Sequence, residues 1–180
     1  MKISILLPYK ENFSPIYPGA VSLFVRDTLN LSKFKKFTTV VGSTSYKKIF
    51  NLKYKNIQIS KFKLQSSSKK YVKEFLKIEK KDRSDLIEIH NRPNYLKDLA
   101  NNLKQTKFVI YFHNDPLTMT GSKKIEERKY LLKICYKIIF NSNWSKKRFL
   151  EGLQNKFVNS EKLLVVFQSA PKQKINFNNK

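Results

Sequence analysis

Cysteine, glycine and arginine are scarce in this 180-residue chain, and each scarcity removes a class of explanation. Cys135 is the single cysteine, so no intrachain disulfide framework or cysteine zinc site can be built, which favours a reducing compartment. The four glycines are too dispersed for a GxGxxG fingerprint or a P-loop. The two histidines and scattered carboxylates show no metal-ligand spacing such as HExxH, and no GxSxG nucleophile elbow is present. No stretch approaches the roughly 20 apolar residues of a membrane span. The amino-terminal apolar run is too short for a signal peptide. A cytoplasmic protein is expected.

Charge of one sign dominates what remains. Thirty-seven basic residues against 13 acidic ones give a formal charge of +24. Only Arg26, Arg83, Arg92, Arg128 and Arg148 are arginine; the rest are lysine, spread along the whole chain with abundant Asn, Ile, Phe and Tyr. All of these have A/T-rich codons, so genome bias accounts for much of the excess. Attraction to polyanions, nucleic acid or an anionic membrane surface, is the functional alternative. Readers of phosphate favour arginine for its planar fork, and no nucleic-acid motif is present, which argues against the first partner.

Apolar runs and periodic stretches alternate from end to end. Strands are expected at residues 3–7, 37–41, 54–59, 85–89, 107–112, 137–140 and 163–167. Helical patterns run from Gly19 to Leu31, from the cap Ser66-Ser67-Ser68 to Ile78, and over 94–103, 125–135 and 144–153. Right-handed crossovers then predict a doubly wound, mainly parallel Rossmann-like α/β sheet of about seven strands, with helices on both faces. One domain over residues 1–169 is expected, with 170–180 a polar tail or the start of a linker.

Ligands bind beyond the carboxyl ends of the strands in such sheets. Four polar clusters fall there: the loop from Tyr9 to Gly19, His90-Asn91-Arg92-Pro93, His113-Asn114-Asp115-Pro116, and Asn141-Ser142-Asn143. Both histidines directly follow apolar strands. Gly19 and Ala20 open a helix whose free N–H groups can hold phosphate, or serve only a turn. His113 can donate a hydrogen bond or act as a base, or be structural. Arg92 can clamp an anion or form a salt bridge. Asp115 can simply start a turn before Pro116, and Ser142 and Asn143 are first a helix cap and second a ligand contact.

These clusters, in this order, resemble the amino-terminal domain of a GT-B glycosyltransferase of the large retaining family 4. The matching stretches are Pro8 to Pro15, Pro18 to Ser22, Ile89 to Pro93, His113 to Pro116 with Gly121-Ser122 and Glu127-Arg128 downstream, and Ile138 to Trp144. The resemblance implies sugar transfer from a nucleotide-sugar to a saccharide or lipid-linked acceptor, with retention and without a metal or other cofactor, in the synthesis of cell-envelope polysaccharide or lipopolysaccharide. It places Gly19 and Ala20 against the donor phosphates and His113 near the transferred sugar. It gives His90, Asn91, Arg92, Asn114 and Asp115 to the acceptor, with Ser142 and Asn143 beside them. Basic surfaces on such domains meet anionic membranes, so a peripheral position at the inner membrane face is expected.

Family members also carry a second Rossmann-like domain with two glutamates eight residues apart. No two of the glutamates here have that separation. The chain is therefore expected to be the acceptor-side half, inactive alone. Three rivals stand beside this reading. They are a basic nucleic-acid-binding module, a self-sufficient enzyme of another doubly wound family with His113 as base, and a scaffold for a separately encoded donor domain.

Overall fold

A computed structural model describes residues 1–59 and 66–168. The expected boundary near residue 169 and the tail after it lie outside the described residues. The elements run β1 (Ile3–Leu6), α1 (Ala20–Leu31), β2 (Thr38–Gly42), β3 (Tyr54–Asn56), α2 (Ser67–Lys81), β4 (Leu86–His90), α3 (Leu96–Asn102), β5 (Lys107–Phe112), α4 (Ile125–Ile134), β6 (Lys137–Phe140), α5 (Asn143–Leu150) and β7 (Leu163–Val165). All seven strands pair in parallel, in the order β3-β2-β1-β4-β5-β6-β7. The chain winds outward from β1 to β3, then crosses back to β4 on the other side of β1. The topological switch therefore lies between β1 and β4, the place at whose carboxyl edge such sheets bind ligands.

The two sheet faces are covered unequally. Leu6, Ile87, Ile89, Ile110, Phe112, Ile138 and Phe140 point to one face, where they pack with residues of α2, α3, α4 and α5. Ile5, Leu7 and Val40 point to the other, under Val21, Val25 and Leu29 of α1 and the loop residues Phe13 and Phe50. The alternation follows from the two-residue period of a strand. Each large apolar side chain taken from water contributes on the order of 1.5–3 kcal/mol. The buried Tyr71 of α2 donates its hydroxyl to the Leu7 carbonyl at 3.0 Å, which anchors α2 beside the carboxyl end of β1.

Some boundaries differ from the sequence expectation. Residues 35–37 form a 3-10 turn, so β2 begins at Thr38. The pattern over 54–59 yields a ladder only through Asn56, with Ile57 still donating its N–H to Gly42 at 2.7 Å. Helix α5 stops at Leu150, where the buried Arg128 guanidinium donates to the carbonyls of Phe149 and Glu151 at 2.6 and 2.7 Å.

At the opposite edge of the sheet, Glu79 of α2 is fully buried. Its carboxylate accepts from the Ser4 hydroxyl at 2.7 Å and from the Ser84 backbone N–H at 2.8 Å, fixing α2 to β1 and to the start of β4. Replacing Glu79 by Ala leaves the buried Ser84 N–H without its acceptor and the Ser4 and Ser84 hydroxyls with only each other, and should lower unfolding stability by roughly 2–4 kcal/mol. Urea unfolding checks this: a midpoint shift worth less than about 1 kcal/mol would show that the carboxylate contributes little.

Candidate functional site

Because the sheet is wholly parallel, the four polar clusters leave it along one edge, beyond Leu6, His90, Phe112 and Phe140. The closest juxtaposition is between the two histidines. The β4–β5 register sets His90 opposite Tyr111, which leaves His113 one pleat further on the same face. His90 Nδ1 lies 2.8 Å from His113 Nε2, and both rings stack on Tyr111 with centroids 5.7 and 4.4 Å away. Phe24 of α1 meets the His113 ring edge-on at 4.9 Å.

The neighbours of the pair assign its protons. Glu88, two residues back on β4, places Oε1 2.8 Å from His90 Nε2, out of line with a ring N–H, so that nitrogen has no hydrogen bond among the described residues. A carboxylate this close still favours a proton on Nε2, because a bare lone pair there would repel it. His90 Nδ1 is then the acceptor, and His113 Nε2–H donates to it. The outer nitrogen of His113, Nδ1, is left with its lone pair and meets the side-chain amide nitrogen of Gln168. His113 thus presents a hydrogen-bond acceptor to the edge.

Backbone contacts fix the residue as well. Asn91, with a left-handed φ of +51°, accepts the His113 N–H on Oδ1 at 2.8 Å, and Asn141 donates Nδ2–H to the His113 carbonyl at 2.7 Å. Asparagine is one of the few side-chain-bearing residues that adopts this backbone readily. Burial above all, with the cost of placing a second charge beside the His90 ring, pushes the His113 pKa down to about 3. The ring is therefore neutral at pH 7 and too weak to serve as a general base there, which corrects the expectation of a base titrating near neutrality. Neutral, the ring can only accept at Nδ1, where the Gln168 amide nitrogen lies.

The structure revises several other expected roles. His90 is fully buried and cannot touch an acceptor; it supports His113 from below. Asn91 is buried and its side-chain oxygen is committed to the His113 N–H. Asp115 caps the 3-10 turn that follows it and pairs with Arg148 of α5 at 3.0 Å, so its carboxylate is a strut between two elements. Partial burial works against ionisation there, but the Arg148 hydrogen bonds, the Leu117 N–H and the Arg148 charge together outweigh it and lower the carboxyl pKa. Ser142 caps α5, accepting the Ser145 N–H at 3.1 Å. Arg92 donates to the Asn91 carbonyl at 2.8 Å and is half-exposed, while Asn114 and Asn143 are exposed.

Gly19 and Ala20 open α1 as expected, with Gly19 at the N-cap. The anion at that terminus is the chain's own. Glu11 Oε1 accepts the Ser22 N–H at 3.0 Å, and a side-chain carbon on Gly19 would meet that oxygen at 1.9 Å. A side chain at position 19 would push this flexible carboxylate off the helix terminus. An acidic residue in the loop before a helix start was the available signal for this contact.

Sequence reasoning also missed an opening on this edge. A groove of about 930 Å³ runs along the carboxyl ends of β1, β2 and β3, with Tyr9 and Lys10 on one side and the Ser43–Lys47 loop on the other. Its floor is tied together through Asn56, which accepts the Thr44 N–H and the Tyr54 hydroxyl at 2.9 and 3.0 Å. Burial raises the Tyr54 pKa to about 12, so the hydroxyl stays protonated as a donor. Among the described residues no three His, Cys, Asp or Glu side chains converge to hold a metal ion, and no helix is long and apolar enough to cross a membrane.

No protein-family model matches the chain, and no curated protein is similar to it in sequence. Solved structures do match in fold. HepE of Anabaena, determined in complex with UDP, superposes with a TM-score of 0.57 at 17% identity, over 93% of this chain and 44% of that one. The UDP-GlcNAc 2-epimerase of Methanocaldococcus jannaschii gives 0.56 at 16% identity over 92% and 45%, and the UDP-N-acetylglucosamine 2-epimerase of Rickettsia bellii gives 0.54 at 12% over 92% and 44%. The chain thus spans less than half the length of each and has the Rossmann-like fold of one half of a GT-B-type architecture.

Imidazole nitrogen resonances should show both rings protonated on Nε2 only, with no His113 titration between pH 5 and 8. Depression of the folded-state value from the ordinary 6.5 to about 3 means that the unfolded chain takes up the proton first. The contribution of His113 to stability is therefore fully present above about pH 6.5 and is lost progressively as pH falls toward 3. A His113 transition near 6.5 in the folded protein would refute the buried pairing.

Proposed function

We propose that this chain is the acceptor-side half of a sugar-nucleotide-dependent glycosyltransferase of the retaining, family 4 type. The reading rests on one observation above the rest. A neutral imidazole, tied by one ring and two backbone hydrogen bonds, turns its lone pair, now met by the Gln168 amide that a sugar hydroxyl would replace, to the carboxyl edge of a fold shared with halves of proteins solved with UDP or named for UDP-GlcNAc. In this role His113 accepts a hydrogen bond from a hydroxyl of the transferred sugar and so orients the anomeric carbon toward the acceptor; it does not remove the acceptor's proton. Positioning alone can supply several kcal/mol of a barrier, provided the reacting atoms are brought close in line.

The donor phosphates would approach the α1 amino terminus at Gly19 and Ala20, where Glu11 now sits, and would have to displace that carboxylate. The second wall of the cleft would come from a donor-binding domain outside these 180 residues, so they should not turn over a nucleotide-sugar by themselves. Arg92, Asn114 and Asn143 remain exposed enough to meet an acceptor along the same edge. The lysine excess would favour acceptors at an anionic membrane surface, at about 1 kcal/mol per well-placed side chain.

The test is transfer from UDP-sugars to a panel of saccharide and lipid-linked acceptors, with this chain joined to a compatible donor-binding domain. His113→Ala should lower kcat about 100-fold with little change in acceptor KM, since the lost hydrogen bond serves the donor sugar in flight. His113→Gln, which retains an acceptor atom, should recover part of the rate. Full activity in His113→Ala would overturn the assignment, as would turnover by this chain alone.

A further inference from the structure

The groove beyond β1, β2 and β3 carries a signature that the transfer reading does not by itself require. Three tyrosines, Tyr9, Tyr46 and Tyr54, line it together with serine, threonine and amide side chains, and no Asp or Glu does. Flat aromatic faces interleaved with amides and hydroxyls suit the alternating apolar and hydroxylated surface of a sugar ring. Its volume of about 930 Å³ lies at the upper end of the ~300–1,000 Å³ of small-molecule sites, with room for more than one ring.

The polar lining is built rather than incidental. Asn56 closes a reciprocal pair with Thr44, accepting its N–H at 2.9 Å and donating to its carbonyl at 3.2 Å. The Thr44 hydroxyl in turn lies 3.4 Å from Asn12 Oδ1, which links this wall to the loop after β1. Two cations face this lining. Lys10 stands in a left-handed conformation, φ +67°, although it is not glycine, with Nζ 5.7 Å from the centre of the Tyr9 ring. Lys47 lies on the opposite loop. Among the described residues neither has a carboxylate partner. Residues held in strained backbone conformations at a cleft are often held there for what they bind.

We propose that this groove binds a saccharide bearing an anionic group, its ring face on the tyrosines and its charge between Lys10 and Lys47. The inference rests on the saccharide-transfer reading and names the acceptor class for it. The shared chemistry is a sugar with a carboxylate or a phosphate, and the probes separate the two sources.

The test follows amide and side-chain chemical shifts of the isolated chain, at about 0.1 M salt, on addition of trigalacturonate, glucose 6-phosphate or neutral maltotriose. Trigalacturonate or glucose 6-phosphate should bind at least tenfold more tightly than maltotriose, with perturbations at Tyr9, Lys10, Thr44, Tyr46 and Asn56. The double substitution Lys10→Gln/Lys47→Gln should remove that preference, whereas Lys33→Gln/Lys36→Gln, on a separate lysine cluster, should change it less than twofold. Shift dispersion in each variant verifies that it folds. Equal losses in the two variants would mean bulk attraction to a +24 chain and overturn the inference. Equal affinity for maltotriose in this groove would remove the anionic group but leave the transfer reading intact. Absence of any saccharide response along the whole carboxyl edge would remove both.

Discussion

The bond between His90 Nδ1 and His113 Nε2 depends on the pairing of β4 with β5, and much of the carboxyl edge depends on that bond. With His90 opposite Tyr111 in the ladder, the residue two beyond Tyr111 must return to the same face, and its imidazole lands within 2.8 Å of the first. A slip of β5 by one residue would turn His113 to the helical layer of α2 to α5 and leave His90 alone on this face. The left-handed turn at Asn91 completes the geometry, because it aims that side chain back at the His113 N–H instead of out into solvent. Glu88 then selects the tautomer from beneath. A strand pairing, a turn and a carboxylate together fix one ring, and burial keeps that ring neutral.

The fold was legible because strands and helices alternate so regularly that right-handed parallel connection leaves few arrangements open. The place of the site was legible for the same reason: residues that follow apolar strands in a parallel sheet share an edge. Individual roles were harder to read. His90 and His113 look equivalent in sequence, each after an apolar run, yet one is sealed under the other. The difference lies in what packs above them, which is Phe24 from a helix some 70 residues earlier. Asp115 looked available for a ligand because Arg148 lies 33 residues away and nothing local announces the pair. The groove escaped notice because its walls, the Ser43–Lys47 loop and Asn56, belong to no motif and carry no periodicity. Even the overlong third strand has a physical cause: Ile57 is buried like a strand residue while the ladder beside it has ended.

Positive potential at the carboxyl edge comes from two sources, and the molecule treats them differently. The amino terminus of α1 carries unsatisfied N–H groups and the positive end of a helix dipole, and Glu11 compensates it within the chain. The lysines at the groove receive no such compensation among the described residues. Any phosphate reaching α1 must therefore exchange with a carboxylate already bonded to the Ser22 N–H. A hydrogen bond to a charged group is worth about 1.5–3 kcal/mol net, so the exchange gains only the difference between two anions. A monoanionic carboxylate yields to a diphosphate because the latter brings more charge and more oxygen acceptors, whereas a neutral or weakly charged ligand would leave Glu11 in place. On the proposed reading the terminus would therefore favour a multiply charged phosphate over its own carboxylate, whereas at the groove, where Lys10 and Lys47 have no carboxylate partner among the described residues, an anionic ligand would displace no internal anion.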